Sequence, residues 1–430
     1  MELEIDVAKK TKVRYGMLAL VFINVAINYL DRANISVAAT SVSKELQLSS
    51  VQMGLIFSAF GWAYAALQIP GGMLADRVAP RILYTLCLIT WSLVTVLQGI
   101  VNGIAALFSL RVATGVFEAP SYPINNRVVT SWFPEHERAS ATAMYISGQF
   151  IGLAFLTPVL AAIQAYSGWR GLFFVTGLTG MAWGLIWYFF YRDPLQHPRV
   201  NQAELDYIER GGGVFSGKKG IPVGKSWSRE DWKQVFSSRT LWGIYIAQFC
   251  LNATLWFFLT WFPTYLIQYR GLNFIKSGFL ASIPYLAACA GLLLSGFVSD
   301  HLITKGKSVS MARKTPIIVG LIISVSIVFA NYTDDTGLVI FFMALAFFGA
   351  GMGLISWVFV SLLSPTHLIG LTGGVFNLMG NLASIVVPIA IGFLTRGGDF
   401  RPALVFIGTL GLVGACSYIF LVGKIERVRL

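Results

Sequence analysis

The stretch "GGMLADRVAPR", from Gly71 to Arg81, has a partial copy, "SGFVSDHLITKG", from Ser295 to Gly306. In both copies a glycine stands four residues before an aspartate, and each copy follows a long apolar run. The two aspartates, Asp76 and Asp300, are 224 positions apart, which is close to half of the 430-residue chain. A copy at that distance, in the same place relative to the apolar runs, indicates a chain of two related halves.

The composition indicates a chain that lies mostly in a membrane. Of the 430 residues, 56% are hydrophobic and only 12% are charged, and the mean hydropathy is +0.68. Soluble proteins carry about 25% charged residues. A helix needs about 20 residues to cross the hydrocarbon core of a bilayer, and many apolar runs along this chain are close to that length. The net charge of +12 reflects where the basic residues lie and does not indicate binding to nucleic acid.

Twelve apolar segments can be assigned as spans, six on each side of a polar segment at 193–239. They lie at 15–33, 52–75, 83–101, 105–130, 139–165, 171–191, 240–268, 273–300, 314–331, 337–363, 368–395 and 401–422. We predict an all-α membrane protein with twelve transmembrane helices in two pseudo-symmetric six-helix bundles, residues 1–192 and 240–430. Residues 193–239 are interpreted as a solvated linker with one short helix at 202–210. Many transporters are built from two related halves of this kind, with the substrate site between them.

The basic residues are unevenly distributed between the two ends of the predicted spans. Both termini, the segment at 193–239, and the other loops on that side with their adjoining span ends hold 24 of the 32 Lys and Arg residues. The loops on the opposite side hold six. Because cytoplasmic loops of membrane proteins carry an excess of Lys and Arg, we expect both termini to be cytoplasmic.

The two remaining basic residues, and two of the 20 acids, fall within predicted spans. Asp31 and Arg32 stand in "INYLDRANIS", at the end of the first predicted span, and Arg111 and Glu118 stand in "RVATGVFEAP". A charge at the centre of a bilayer costs about 2.5–3.5 kcal/mol on insertion scales, and such residues usually serve transport. Since seven residues make almost two helical turns, we expect Arg111 and Glu118 on one helix face, about 10 Å apart.

Two interpretations of these four charges compete. They could form two interhelical ion pairs that only lock helices together, although buried ion pairs stabilise a fold less than apolar packing does. Alternatively, they form a site for protons and an anion, because burial favours the protonated form of a carboxyl group. The planar fork of an arginine also suits a substrate carboxylate. The rarity of charges within membranes favours the second interpretation.

Polar side chains on other spans indicate a cavity for a hydroxylated substrate. Each of them taken singly is typical of a helix–helix hydrogen bond. Together they suggest a charged wall in the first half and an uncharged polar wall in the second. The predicted lining residues are Tyr29, Tyr64, Gln68, Gln149, Trp256, Thr260, Ser356, Trp357, Asn377 and Asn381.

Several motifs resemble the major facilitator superfamily. The stretch from Gly71 to Arg81 resembles its loop signature. "NYLDRANIS", "FSAFGWAYAALQIPGG", "RVATGVFEAPSYPINNRVVTSWFPEHERASA", "GQFIGLAFLTP", "LWFFLTWFPTYL" and "LTGGVFNLMGN" resemble its anion:cation symporter branch. The likeness covers nearly the whole chain. It is greatest to the bacterial D-galactonate:proton symporters, and next to the glucarate/galactarate transporters.

The resemblance implies roles for individual residues. Asp31 and Glu118 match the proton-carrying acids of that branch, Arg111 matches an arginine thought to pair with the acid of the fourth span, and Arg32 matches the arginine that contacts the sugar-acid carboxylate. Six of the lining residues match positions of the sugar-acid site, and these are Tyr29, Tyr64, Gln149, Ser356, Trp357 and Asn377. Four residues match the loop signature that holds the cytoplasmic side shut, and these are Gly72, Asp76, Arg77 and Arg81. In the second copy His301 stands where the first has Arg77, so we expect a weaker gating role there.

The resemblance therefore implies proton-coupled import of a sugar acid across the bacterial inner membrane by alternating access. Protons are the expected coupling ion, with no other cofactor and with the chain acting as a monomer. In this hypothesis, protonation of Glu118 frees Arg111, and protonation of Asp31 frees Arg32. D-galactonate is the expected substrate, with glucarate, galactarate, a hexuronate or tartrate as alternatives.

Two other classes of function are weighed against transport. An intramembrane enzyme would need a buried histidine, a metal cluster or a nucleophile–base pair, and all four histidines lie in predicted loops or at span ends. A channel would show flux without saturation, and the asymmetric buried charges suit coupled transport better.

Overall fold

The computed structural model describes residues 10–215 and 228–423, and within these ranges the chain is helical, with no β-strand. Among the described residues, nine helices are long and apolar enough to cross a membrane, and one further bent pair reaches that length together. The helix Glu135–Phe190 contributes two spans, because it is interrupted at Gly168, where φ is +68°. With the broken pair Ile104–Glu118 and Ser121–Trp132, the described residues form twelve helical spans.

The first half consists of spans 1 to 6, defined by these helices: Val13–Glu45; Ser50–Ala66 with Gln68–Arg77; Pro80–Gln98; Ile104–Glu118 with Ser121–Trp132; and the two parts of Glu135–Phe190. The second half consists of spans 7 to 12: Arg239–Thr260 with Phe262–Thr264 and Tyr265–Tyr269; Phe274–Thr304; Val309–Ser324 with Val325–Tyr332; Thr336–Met352 with Gly353–Trp357 and Val358–Leu363; Ile369–Leu394; and Arg401–Phe420.

Prolines and glycines explain the breaks in these spans. Span 2 bends by 52° between Ala66 and Gln68. Pro70 causes this bend, because its ring removes a backbone donor and clashes with the carbonyl four residues earlier, at Ala66. Span 4 breaks at Ala119 and Pro120, where the proline lacks the backbone N–H that a continuous helix would use. At Gly168 the positive φ requires a residue without a Cβ atom.

Span 1 is much longer than the sequence predicted. The helix runs from Val13 to Glu45, whereas we expected it to end at residue 33. Asp31 and Arg32 therefore lie in the middle of a 33-residue helix and not at its end. The prediction was wrong because hydropathy falls at these charged residues, while the apolar face continues through buried residues as far as Val42.

The segment predicted as a solvated linker is partly docked against the first half. The expected helix is present as Gln202–Arg210, and a second, unforeseen helix spans Arg229–Ser237. Glu204 is fully buried and forms an ion pair with Arg14 at the start of span 1. The distance from Arg14 Nη1 to Glu204 Oε1 is 3.0 Å. A buried charge needs such a partner, and that requirement fixes the short helix to the bundle.

The two halves touch at the end of the molecule opposite the chain termini, here called the far end. Spans 2 and 11 approach so closely that a Cβ atom added at Gly54 would lie 2.5 Å from the carbonyl oxygen of Pro388. Spans 5 and 8 meet in the same way, because a Cβ atom at Gly278 would lie 2.4 Å from that of Ala161. Towards the termini, a Cβ atom at Gly374 would meet no atom within 4 Å. Among the described glycines, all those that would bring a Cβ atom against the other half lie nearer the far end, which indicates that the halves separate towards the termini.

Candidate functional site

The centre of the first half contains an ion pair between spans 1 and 4. Glu118 is fully buried, and Arg32 is 5% exposed. Arg32 Nε donates a hydrogen bond to Glu118 Oε1 at 2.7 Å, and Arg32 Nη2 lies 2.6 Å from the same oxygen. Glu118 Oε2 has no hydrogen-bond partner among the described residues. The guanidinium thus contacts one carboxylate oxygen, and the pair lacks the two parallel hydrogen bonds of the strongest Arg–carboxylate contacts.

Three aromatic rings surround the Arg32 guanidinium. Its Cζ atom lies 4.7 Å from the ring centre of Tyr29, 4.8 Å from that of Phe60 and 4.7 Å from that of Tyr64. Tyr29 reaches it because residues three apart are neighbours on a helix surface. A desolvated cation–π contact contributes about 2 kcal/mol. The rings therefore stabilise the charge of Arg32 without using its N–H groups, which stay available to an anion.

Among the described residues, Glu118 pairs with Arg32, and Arg111 does not take the place that the sequence hypothesis gave it. Within the described ranges Arg111 Nε has no hydrogen-bond partner, and Arg111 Cζ lies 5.6 Å from the ring centre of Phe60. Both residues lie on the helix Ile104–Glu118, as predicted. However, seven residues separate them by about 10 Å along the axis, whereas Arg32 approaches Glu118 directly from span 1. Arg111 remains within electrostatic range of Glu118 and of Asp31.

Asp31 is also held by partners that the sequence did not indicate. It is 2% exposed. Trp91 Nε1 of span 3 donates to Asp31 Oδ2 at 2.9 Å, and Asn34 Nδ2 lies 3.1 Å from Oδ1. The same Asn34 amide also donates to Thr176 Oγ1 of span 6. Asp31 therefore faces the interior of the first half through neutral donors, and among the described residues Arg32 pairs with Glu118 and not with Asp31.

The second half contributes an uncharged polar wall. Gln248, Asn252 and Trp256 stand four residues apart and so share one face of span 7. Ser356 Oγ of span 10 donates a hydrogen bond to Gln248 Oε1 at 3.0 Å. The Trp256 ring lies 6.2 Å from the ring of Phe60, which itself packs against Arg32. Trp256 therefore connects this wall to the aromatic rings around the ion pair.

Three of the other predicted lining residues divide into two groups. Gln149 is buried, and its Oε1 accepts a 3.4 Å hydrogen bond from the Tyr122 hydroxyl, which lies one helical turn beyond Glu118. Trp357 is 47% exposed and packs edge-on against Phe376, with ring centres 4.9 Å apart. Asn377 is half-buried. No contact among the described residues joins Trp357 or Asn377 to Arg32.

The predicted gate residues lie at the termini end, where the halves separate. Gly72 is half-buried, while Asp76 and Arg77 are exposed, and neither of these two forms an ion pair with a described residue. Arg81 is anchored, because its Nε donates to the Tyr188 carbonyl oxygen at 2.9 Å and its guanidinium stacks on the Tyr188 ring. In the second copy, Asp300 pairs with Arg313 at 2.9 Å.

Sequence reasoning missed several residues of this site, including Phe60, Trp91, Tyr122 and Gln248. Phe60 and Trp91 gave no signal, because a buried aromatic ring looks the same as any other core residue. Tyr122 could have been found from its place four residues after Glu118, and Gln248 from its place eight residues before Trp256. No group of three His, Cys, Asp or Glu side chains within residues 10–215 and 228–423 is placed to hold a metal ion.

A family model described as the Major Facilitator Superfamily matches residues 21–388 of the chain. The chain belongs to the Major Facilitator Superfamily. Its twelve-helix architecture, the paired loop signatures and the polar centre between the halves are therefore those of a transporter and not of an enzyme. Membership in this superfamily also makes the chain a multi-pass membrane protein.

Named members of the superfamily are similar over nearly the full length of the chain. A "D-galactonate transporter" of Escherichia coli O6:H1 is 50% identical over 432 residues, with 100% of both chains covered. A "Probable galactarate/D-glucarate transporter" of Bacillus subtilis is 44% identical over 98% of this chain and 94% of its own length. A "Probable L-galactonate transporter" of Escherichia coli is 32% identical, covering 96% of this chain and 90% of its own.

Solved structures of the superfamily share the fold. A bacterial homologue of the human lysosomal transporter Spinster, solved in an inward-facing and unoccupied conformation, superimposes with a TM-score of 0.78. The two chains are 19% identical, and the match covers 97% of this chain and 98% of the other. A likeness at that identity establishes the common fold of the two transporters.

Proposed function

We propose that this member of the Major Facilitator Superfamily imports a sugar acid, D-galactonate in the first instance, together with protons. The 50% identity to a D-galactonate transporter along the whole chain supports the substrate. The basic bias of the loops supports a cytoplasmic location for both termini in a bacterial inner membrane. Both polar walls come from one chain, which supports the monomer as the transporting unit.

The buried ion pair between Arg32 and Glu118 is the observation that carries the proposal. A substrate carboxylate needs the same guanidinium N–H groups that Glu118 now occupies. Protonation of Glu118 removes its charge, which weakens its contact with Arg32 and leaves the guanidinium to the substrate. Binding of a proton to Glu118 and binding of the anion to Arg32 thus favour each other, and this mutual dependence is the physical basis of coupling.

Asp31 provides a second proton site in this proposal. Its neutral partners, Trp91 and Asn34, do not compensate a carboxylate charge as a cation would. Arg111, without a direct ion pair among the described residues, lies within range of both Asp31 and Glu118. Its charge links the protonation of the two acids, because a proton added at one changes the field that acts on the other.

The substrate hydroxyls are assigned to the second half. Gln248, Asn252 and Ser356 supply neutral donors and acceptors opposite the charged centre. The halves touch at the far end and separate towards the termini, which corresponds to a carrier open to the cytoplasm. Transport then requires the halves to rock about the site, so that the far end opens and the termini end closes.

A monocarboxylate fits this arrangement better than a dicarboxylate such as galactarate. The second half has no buried charged side chain among the described residues. A second substrate carboxylate directed at that wall would lose its hydration without gaining a cation, which is costly. D-galactonate is therefore the preferred candidate, and galactarate, glucarate, a hexuronate and tartrate are the alternatives.

The test is uptake of labelled D-galactonate into proteoliposomes that contain the purified protein. We expect accumulation against a concentration gradient when the outside is acidic, and saturation at high substrate. With two protons and one monoanion, one net charge enters per cycle, so a negative interior adds about 2.3 kcal/mol of driving force per 100 mV. Uptake that does not depend on the membrane potential would indicate one proton per substrate. Uptake that does not depend on the pH gradient would contradict proton coupling.

A competition panel in the same assay tests the substrate. Unlabelled D-galactonate should compete best, with galactarate, glucarate, a hexuronate and tartrate clearly weaker. Stronger competition by galactarate would assign the chain to the hexarates and would contradict the argument from the neutral wall.

A further inference from the structure

A groove of about 510 Å³ lies on the outer side of the first half, at the termini end. The start of span 1, the end of span 6 and the chain directly after span 6 form its walls. The groove is separate from the candidate substrate site, because the two share no lining residue. The inference drawn from it is independent of the proposed function.

One side of the groove is basic. Lys12, Arg192 and Arg199 line it, and none of the three forms an ion pair with a described residue. The carbonyl oxygens of Tyr188 and Tyr191 hold Arg192 in place, since both accept hydrogen bonds from its Nη1 atom at 2.9 and 2.7 Å. Those carbonyls belong to the end of span 6, where a basic side chain is favoured by the helix dipole.

The lowered pKa of His197 indicates that the positive charge on this side of the groove is not compensated. Burial, together with the charges of Arg199 and Arg192, lowers the pKa of the imidazole. Glu204 acts in the opposite direction, but its carboxylate is already paired with Arg14. His197 Nδ1 accepts the backbone N–H of Arg199 at 3.2 Å, so the neutral ring carries its proton on Nε2 and offers a further donor.

The other side of the groove is apolar. Phe189 and Phe190, each 65% exposed, end span 6, and Leu20 with Met17 continues the surface along span 1. These residues belong to membrane spans, so the apolar side faces acyl chains while the basic side lies at the level of the headgroups. A ligand that fills the groove must therefore combine a negative head with a hydrocarbon tail.

We propose that this groove binds an anionic phospholipid, with the phosphate at Lys12, Arg192 and Arg199 and one acyl chain along Phe189, Phe190 and Leu20. Basic pockets at the edges of transmembrane helices are suited to such headgroups. A bound lipid would join the start of span 1, the helix that carries Asp31 and Arg32, to the end of span 6.

Native mass spectrometry of the full-length protein in a neutral detergent tests the proposal. The protein is titrated with phosphatidylglycerol and, separately, with phosphatidylcholine, and the occupied fraction is measured. The test variant is Arg192→Gln with Arg199→Gln. The control is Lys305→Gln with Lys307→Gln, which removes the same charge from exposed positions at the same end of the second half. Thermal unfolding of both variants confirms that they are folded.

We expect phosphatidylglycerol to bind more tightly than phosphatidylcholine. One basic residue strengthens such binding about fivefold, so the test variant should lose about 25-fold in affinity, and the control less than twofold. Equal losses in both variants would reduce the effect to general surface charge and overturn the proposal. Displacement of the lipid by millimolar inorganic phosphate or glycerol phosphate would assign the groove to a soluble anion and also overturn it.

Discussion

The two halves of this transporter share an architecture and differ in charge. The first half buries two acids and two arginines at its centre, and these are Asp31, Arg32, Arg111 and Glu118. At the corresponding depth, the described part of the second half buries only neutral polar groups such as Gln248 and Ser356. The comparison teaches that the fold needs no charge at its centre. The cost of burying four charges in one half therefore favours a functional role for them.

This difference in buried charge suggests different roles for the two halves. In the proposed function, the first half binds a proton and an anion, because Glu118 and a substrate carboxylate would compete for Arg32. The second half would orient the hydroxyl groups of the substrate. Substitutions in the first half should therefore change the coupling to protons, whereas substitutions in the second half should change affinity alone.

The largest effect is expected for Glu118→Gln. The amide is neutral at every pH and so mimics the protonated acid, which removes the proton dependence of Arg32. We expect accumulation of D-galactonate driven by a pH gradient to be abolished, while counterflow exchange in the same proteoliposomes is retained. Glu135→Gln, the same change at an exposed position, should accumulate substrate normally. If Glu118→Gln still concentrates substrate, the first half does not couple protons through this residue.

Asp31→Asn tests whether the second acid takes part. An asparagine can keep one of the contacts with Trp91 and Asn34, so the fold should be retained. We expect loss of accumulation with retained counterflow, as for Glu118→Gln. Normal accumulation by Asp31→Asn would leave Glu118 as the proton carrier and would reduce the ratio to one proton per substrate.

Arg32→Ala should weaken substrate binding by about 100-fold, because a hydrogen bond to a charged group contributes about 1.5–3 kcal/mol. Arg32→Lys keeps the charge but not the planar fork, so an intermediate loss of about tenfold is expected. Isothermal titration calorimetry with D-galactonate measures both. Unchanged affinity in Arg32→Ala would move the anion site away from this guanidinium.

A smaller effect is expected for Ser356→Ala in the second half. Loss of its hydrogen bond to Gln248 frees that side chain, and the affinity should fall about fivefold, equivalent to about 1 kcal/mol. The dependence of uptake on pH should not change. Ser417→Ala is the matched control, since this buried serine bonds to the Gly243 backbone outside the site. A changed proton dependence in Ser356→Ala would contradict the division between the halves.

The smallest effect on substrate binding is expected where the halves meet, because this contact lies outside the candidate site. A Cβ atom at Gly392 would lie 2.7 Å from the Ser50 carbonyl oxygen at the far end, whereas at Gly374 of the same span it would meet nothing within 4 Å. Overpacking costs about 1–3 kcal/mol, so Gly392→Ala should favour an open far end and Gly374→Ala should not. Distances between spin labels on spans 2 and 11 measure this. Identical distance distributions for both variants would show that the far-end contact does not select the conformation.

The sequence by itself determined the class of the protein. Apolar runs of helical length require helices, because an unpaired backbone group in the bilayer is too costly. The duplicated loop signature and the two sets of apolar runs gave the arrangement in two halves. Asp31, Arg32, Arg111 and Glu118 could also be found from the sequence, because a charged residue within an apolar run is costly to bury in a membrane and is therefore rare.

The tertiary structure decided which of these charges are partners. Asp31 and Arg32 are neighbours in sequence, but adjacent helical residues point about 100° apart, so they face different parts of the bundle. Arg32 pairs with Glu118 from another span, Asp31 contacts Trp91, and Arg111 has no ion pair within the described ranges. Spacing along one helix restricts which residues share a face. Contacts between helices depend on how whole spans pack, and no single stretch of sequence contains that information.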